Sequence, residues 1–189
     1  MSWTRALAGV RDRKWFGPAA RVPHLAWHLG FGRIVGRFFI VITTTGRKSG
    51  RPRHTMTFYT RSSDRIYAAC LYGPSSDWFR NLLANPVCTV QTAEGIHSMS
   101  GRPVTNTEEL ATAVSGRGIS RRIMRVGYGR ADPRDAFERL RDTPLVAFHP
   151  SPELGPEPLK PRWPWAAPVV FVGAMVLVAA KLADRERAG

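Results

Sequence analysis

Residues 38–60 constrain the fold of this chain more tightly than any other stretch. Phe38–Thr45 is rich in β-branched and aromatic side chains, which pack well on an extended, pleated backbone. It runs into Gly46-Arg47-Lys48-Ser49-Gly50-Arg51-Pro52-Arg53-His54 and emerges as a second strand-like run, Thr55–Thr60. Two such runs around a glycine-bearing turn predict an antiparallel hairpin. The turn holds two glycines and four cations, Arg47, Lys48, Arg51 and Arg53. Glycines let backbone N–H groups rotate toward a ligand without Cβ clashes. Such N–H groups form an anion-binding concavity, to which Arg and Lys add charge and phosphate-shaped donors. The matching ligand is a phosphorylated or polycarboxylate cofactor, and the plain alternative is a solvated basic hairpin.

The rest of the domain repeats the β theme. Ser62-Ser63-Asp64 marks a turn, and Ile66–Leu71 reads as a third strand. A loop and short helix follow over Gly73–Pro86, with Ser76 or Asp77 to cap the start and Asn85-Pro86 to stop it. Val87–Thr92 and Ile96–Val104 flank a short Ala93-Glu94-Gly95 turn and predict a second hairpin. Thr105-Asn106-Thr107-Glu108 matches a capping box ahead of a helix at Leu110–Val114. Ser120–Val126 and Arg134–Arg141 are candidate helices, and Leu145–His149 is a last short strand. Five to six strands in short hairpins predict a mainly β fold, a small closed or half-closed barrel with flanking helices. The missing βαβ rhythm excludes a Rossmann domain. Ahead of the barrel, His24–Gly36 reads as a helix that covers it or rests on lipid.

Charge and the far end of the chain narrow the setting. The formal net charge is +14, from 28 Lys plus Arg against 14 Asp plus Glu. Only four of those cations are Lys, so 28 − 4 = 24 are Arg. A balance this basic calls for a polyanionic partner. The aromatic–basic stacking platform of a single-strand nucleic-acid binder is not evident, so nucleic acid is not the expected partner. Two cysteines, Cys70 and Cys88, are too few for a disulfide framework and sit in apolar runs, as buried free thiols do.

From Trp163 to Leu182 the chain is apolar, with no charge between Trp165 and Lys181. About 20 residues at ~1.5 Å each cross one hydrocarbon core. Tryptophans at one end and Lys181, Arg185 and Arg187 at the other suit the two interfaces. The domains expected are an N-terminal helical segment at 1–36, the barrel at 37–150, a Pro-rich linker at 151–162 and a transmembrane helix at 163–183. Five prolines in Ser151–Pro164 predict a stiff linker. The opening residues are not a secretory signal, which places the barrel in the cytoplasm, tethered to the cell membrane by a single pass. Cys-x-x-Cys and His-Glu-x-x-His are absent, so no metal site is expected. Gly46–Gly50 lacks the spacer of a P-loop, and no nucleophile elbow is present.

Two blocks, Thr43–Thr55 and Gly73–Pro86 with Asp77-Trp78-Phe79-Arg80-Asn81-Leu82 at its centre, occur in a meaningful order. Here the chain resembles the deazaflavin (F420)-dependent nitroreductase and F420H2-dependent quinone reductase family. Its signature is a strand ending in T-T-x-G-R-K-S-G-x-P-R, then W-x-x-N-L-x-A-N-P. The resemblance spans about Phe38–Pro150. It implies a split β-barrel related to the flavin-binding oxidases of pyridoxine phosphate. It implies reduced coenzyme F420 as cofactor, with FMN as the alternative, and hydride transfer to a quinone, nitroaromatic or activated alkene. The phosphate and poly-glutamate tail of F420 agree with the charge of the turn.

By motif position, Arg47, Lys48, Ser49 and Gly50 would hold the phosphate, and Arg53 the acidic tail or the polar edge of the ring. Trp78 would lie by the ring, and Asn81 would brace the loop or bond to the ring. Tyr128, in Val126-Gly127-Tyr128-Gly129, is the candidate proton donor. His97 and His149 are expected to be structural, while His54 lies beside the cationic loop. One departure bears on substrate class: Cys70–Asp77 is shorter than the family's Gly-Gly-Ala-Pro loop. The expected function is a membrane-anchored F420H2-dependent reductase with a small electron acceptor, such as a membrane quinone, and the lipid bilayer as partners. The alternative is a non-catalytic barrel that binds flavin, deazaflavin or lipid. A homodimer is compatible with either.

Overall fold

A computed structural model of the protein describes residues 16–62, 64–116, 140–170 and 172–173. Six antiparallel strands close into a barrel in the order β1-β2-β3-β6-β5-β4. They are β1 Phe39–Thr45, β2 Pro52–Ser62, β3 Arg65–Ala69, β4 Val87–Gln91, β5 Ile96–Pro103 and β6 Leu145–Pro150. The last strand inserts between β3 and β5, so closure joins residues far apart in sequence.

Strand alternation sorts the side chains. Ile40 and Ile42 of β1 point inward with Ile66 and Ala68 of β3, Cys88 and Val90 of β4, and Val146 and Phe148 of β6. Their neighbours Tyr67, Ala69, Leu145 and Ala147 point outward. There they pack with Val104, Leu110 and Ala113 in a second apolar layer. That layer is the seat of helix α4, Thr107–Ser115, one of four labelled in chain order after α1 Phe16–Ala26, α2 Gly32–Val35 and α3 Asp77–Ala84. Trp78, Phe79 and Leu82 of α3 belong to the interior cluster, so this helix plugs the barrel end where the β1–β2 turn sits.

Several expectations shift by a few residues. β2 begins at Pro52 rather than Thr55, because Arg53 and His54 continue the ladder opposite Thr44 and Thr43. The α4 cap is Asn106, whose side chain accepts from the Glu109 N–H at 2.7 Å, one residue beyond the Thr105 of the expected capping box. The N-terminal helix starts upstream of His24, since α1 is already helical at Phe16 and tolerates Pro23. Residues 117–139, with the candidate helix at Ser120–Val126 and most of that at Arg134–Arg141, lie outside the described residues.

The expected Pro-rich linker is a strap on the barrel wall. Gln91 donates from Nε2 to the Leu159 carbonyl at 3.1 Å and accepts from the Leu159 N–H at 2.7 Å. Thr89 donates to the Pro156 carbonyl at 2.5 Å, and the Ser151 N–H donates to the Ser98 carbonyl at 3.0 Å. Thr89 and Gln91 are the outward residues of β4, so the strap supplies the partners these buried polar groups require. Helix resumes at residue 166. Among the described residues no helix is long and apolar enough to cross a membrane. The expected span 163–183 falls largely outside them.

Candidate functional site

The β1–β2 turn is held open by its own backbone. The Gly46 N–H donates to the Arg51 carbonyl at 2.9 Å, and the Gly50 N–H donates to the Gly46 carbonyl at 2.7 Å. Gly50 has φ +65°, a left-handed conformation that a side chain with a Cβ resists. Among the described residues no atom approaches the position its Cβ would take, so the reason for glycine here is backbone conformation and not crowding. The Lys48 N–H has no acceptor among the described residues, and the residue is exposed.

Arg47 behaves differently from the other three cations. Its N–H and its Nη1 both donate to Asn81 Oδ1, at 3.2 and 2.9 Å. Nη2 pairs with Asp77 Oδ1 at 2.9 Å. Asn81 in turn donates from Nδ2 to Thr44 Oγ1 at 3.1 Å. Helix α3 supplies Asp77 and Asn81 one turn apart, so both reach the same guanidinium. The turn is thereby fastened to the barrel plug, and its shape is set before any ligand arrives. Asp77 is largely exposed, so its pairing with Arg47 is screened and weak. Asn81 is buried and carries the fastening.

Lys48, Arg51 and Arg53 make no ion pair among the described residues. Three unpaired cations, an open amide and an exposed Ser49 hydroxyl therefore share one turn. Arg53 pairs in register with Thr44, and its Cγ lies over Gly46. The structure thus brings Arg47, Lys48, Ser49, Gly50, Arg53 and Asn81 to one end of the barrel. Trp78 is at the same end, but its ring is packed in the interior beside Phe79, with centroids 6.3 Å apart. The residue is buried. Tyr128 lies outside the described residues.

The sequence did not point to Asp77 or Thr44 as parts of this arrangement. Asp77 reads as a helix cap, and Thr44 as one more β-branched strand residue. Their roles appear only when α3 folds back over the end of β1.

His54 adds no charge to the turn at neutral pH. Its ring shares a hydrogen bond with Thr43 Oγ1 at 2.9 Å, and its pKa is lowered by burial first and then by His28, with Glu157 opposing. The two thiols are inert for the same reason in reverse. Burial pushes Cys70 up to about 11 and Cys88 up to about 12, and both are free. Among the described residues no group of His, Cys, Asp and Glu is placed to hold a metal ion.

At the opposite end of the barrel lies an opening of about 470 Å³, with Ile66 and Met99 on its wall and Arg61, Asp64 and His97 among its polar lining. His97 edges this opening.

Comparison with known proteins adds a family. The model of the F420H(2)-dependent quinone reductase family matches residues 29–115, 87 of the 189 residues. The matched span runs from α2 through β5 and α4, and includes the turn and the plug. Residues 29–115 are thus similar to the F420H(2)-dependent quinone reductase family. Among solved structures, the chain is similar to an F420-H2 dependent reductase (FDR-A) at 19% identity, over 59% of this chain and 93% of that one, with a TM-score of 0.41. It is similar to the heme storage protein HutZ from Vibrio cholerae at 15% identity, over 70% and 91%, with a TM-score of 0.46. It is also similar to a general stress protein 26-related protein of the pyridoxinephosphate oxidase family from Clostridium acetobutylicum. There the identity is 9%, over 62% and 78%, with a TM-score of 0.41.

Proposed function

We propose, with residues 29–115 as an F420-dependent reductase domain, that this protein reduces a quinone, nitroaromatic or activated alkene at the cell membrane. In this reading the barrel is cytoplasmic and residues 163–183 form its single membrane span. The observation that carries the cofactor assignment is the turn. Lys48, Arg51 and Arg53 are unpaired among the described residues, one amide is open, and the whole is braced from behind by Asn81. That donor set fits a phosphate and a chain of carboxylates, which is the acidic half of coenzyme F420.

When bound, coenzyme F420 supplies the hydride that reduces the acceptor. The protein's share is binding and orientation. Lys48, Ser49 and the Gly50 turn hold the phosphate, and Arg53 meets the acidic tail or the polar edge of the ring. Arg47 keeps two contacts to α3 and so fixes the distance from the turn to the barrel plug. Trp78 shapes the ring end by filling the plug. Tyr128 is the candidate donor of a proton to the reduced acceptor. A membrane location suits a lipid-soluble quinone, which would reach the barrel from the bilayer without crossing water.

The test is a titration of F420 by fluorescence quenching with Lys48→Ala, Arg53→Ala and Arg80→Ala proteins. The first two should bind several-fold more weakly than the parent. The Arg80→Ala protein, altered at an exposed α3 cation that makes no ion pair among the described residues, should bind as the parent does. Equal affinity across all three would remove the assignment. Reoxidation of the reduced complex by menadione then separates a reductase from a carrier.

A further inference from the structure

We propose that the N-terminal helices lie on an anionic lipid bilayer beside the base of the C-terminal tail, so that the barrel touches the membrane through both ends of the chain at once. The occupant of this surface rests on the reading of the tail as a membrane span. Its shape does not.

The two ends meet in the fold. The Trp163 N–H donates to the His28 carbonyl at 2.8 Å. Next to it, Gly30 takes φ +90° and lies so close to Pro164 that a Cβ would sit 2.7 Å from the Pro164 carbonyl oxygen. Upstream, the strap is pinned to Gln91 by two hydrogen bonds at Leu159. The tail therefore leaves the barrel at a fixed place, against the stretch that joins α1 to α2.

Around that place the apolar side chains are exposed. Trp27 is turned into the protein, while Leu25 and Ile34 are more than half exposed. Trp165, Val169 and Val170, at the start of the tail, are more than half exposed as well. Side chains of this size are thus exposed on two segments whose backbones meet at His28–Trp163 and Gly30–Pro164, and exposed apolar surface of this kind marks an interaction site.

Charge and sequence select lipid as the partner. Arg21, Arg33, Arg37 and Arg162 are exposed on the same segments. Neither 16–37 nor 158–183 contains a single Asp or Glu. Residues 166–180 hold no polar side chain at all. In the reading of the tail as a membrane span, a stretch apolar all round would have no face to turn to water. Tryptophans at its base and cations beside them are the pattern of a membrane interface, and the cations favour acidic headgroups.

Site-directed spin labelling of the full-length protein in vesicles of phosphatidylcholine and phosphatidylglycerol tests this. Labels go singly at Leu25→Cys, Ile34→Cys, Val170→Cys and Leu154→Cys, since both native thiols are buried. The readout is accessibility to oxygen against accessibility to a water-soluble nickel chelate. Positions 25 and 34 should be open to oxygen and closed to nickel, while position 154, on the strap, should be open to nickel. Nickel access at 25 and 34 with position 170 in lipid would overturn the proposal and leave the tail reading standing. Lipid at 25 and 34 with water at 170 would support the surface and sink the tail as a membrane span. Water at all three would sink both.

Discussion

Asn81 is the side chain on which turn, plug and strand depend together. Its Oδ1 accepts from the Arg47 backbone and guanidinium, and its Nδ2 reaches Thr44. Asn81→Ala removes the acceptor of the Arg47 N–H and the partner of buried Thr44, while Asp77 still pairs with the Arg47 guanidinium, and costs about 1–3 kcal/mol. Denaturant unfolding should show that loss. F420 affinity should fall with it, because the turn loses its brace, and an Asn81→Ala protein with parental affinity would refute the bracing role. At the same scale, Cys70 and Cys88 have pKa values raised by burial to about 11 and about 12. Native protein at pH 8 should therefore resist iodoacetamide, and both thiols should react once denaturant is added. Rapid native alkylation would show that one of the two is reachable and ionised.

At the scale of elements, the strap explains why β4 carries polar residues on a face that is buried. Gln91 is buried and exchanges two hydrogen bonds with Leu159. In Gln91→Ala the barrel should keep its fold while the strap loosens. Amide exchange should rise at residues 155–160 and stay unchanged in β1 and β6. Exchange that rises evenly over the whole barrel would mean that strap and barrel unfold as one unit. α4 is held in a comparable way. Buried Glu109 takes two bonds from Arg102, at 2.7 and 2.8 Å, and a longer one from Arg65. With Arg102 about half exposed, this pair sits between the weak surface class and the costly buried one.

At the scale of the whole molecule, three histidines among the described residues contribute to the response to acid. His24, His54 and His149 all have pKa values below the ordinary 6.5, each lowered first by burial. His28 adds to the effect at His24 and His54, and Arg65 and Arg102 add to it at His149. The unfolded chain takes up those protons near pH 6.5, whereas the folded chain takes them up only at lower pH. Stability from this source is full above about pH 6.5 and is lost as the pH falls through the lowered values. Thermal melts should show a falling Tm below pH 6.5, and His54→Gln should flatten that fall. A Tm that does not change between pH 7 and pH 5 would refute it.

The sequence by itself was enough for the barrel's strands, the cationic turn and the plug helix, because each rests on local rules. β-branched runs, glycine at a turn and proline after a helix act over a few residues. The family resemblance, not a local rule, marked Asn81 as a residue worth attention. Neither could locate its partners. Asp77 and Thr44 meet Arg47 only because the barrel closes with β1 beside β4, which puts α3 over the turn. The closure itself was decided at long range, when β6 paired with β3 and β5. So was the fate of the proline-rich stretch, which reads as a spacer from composition. Outward polar residues on β4 needed hydrogen-bond partners, and only the folded barrel brought the two together.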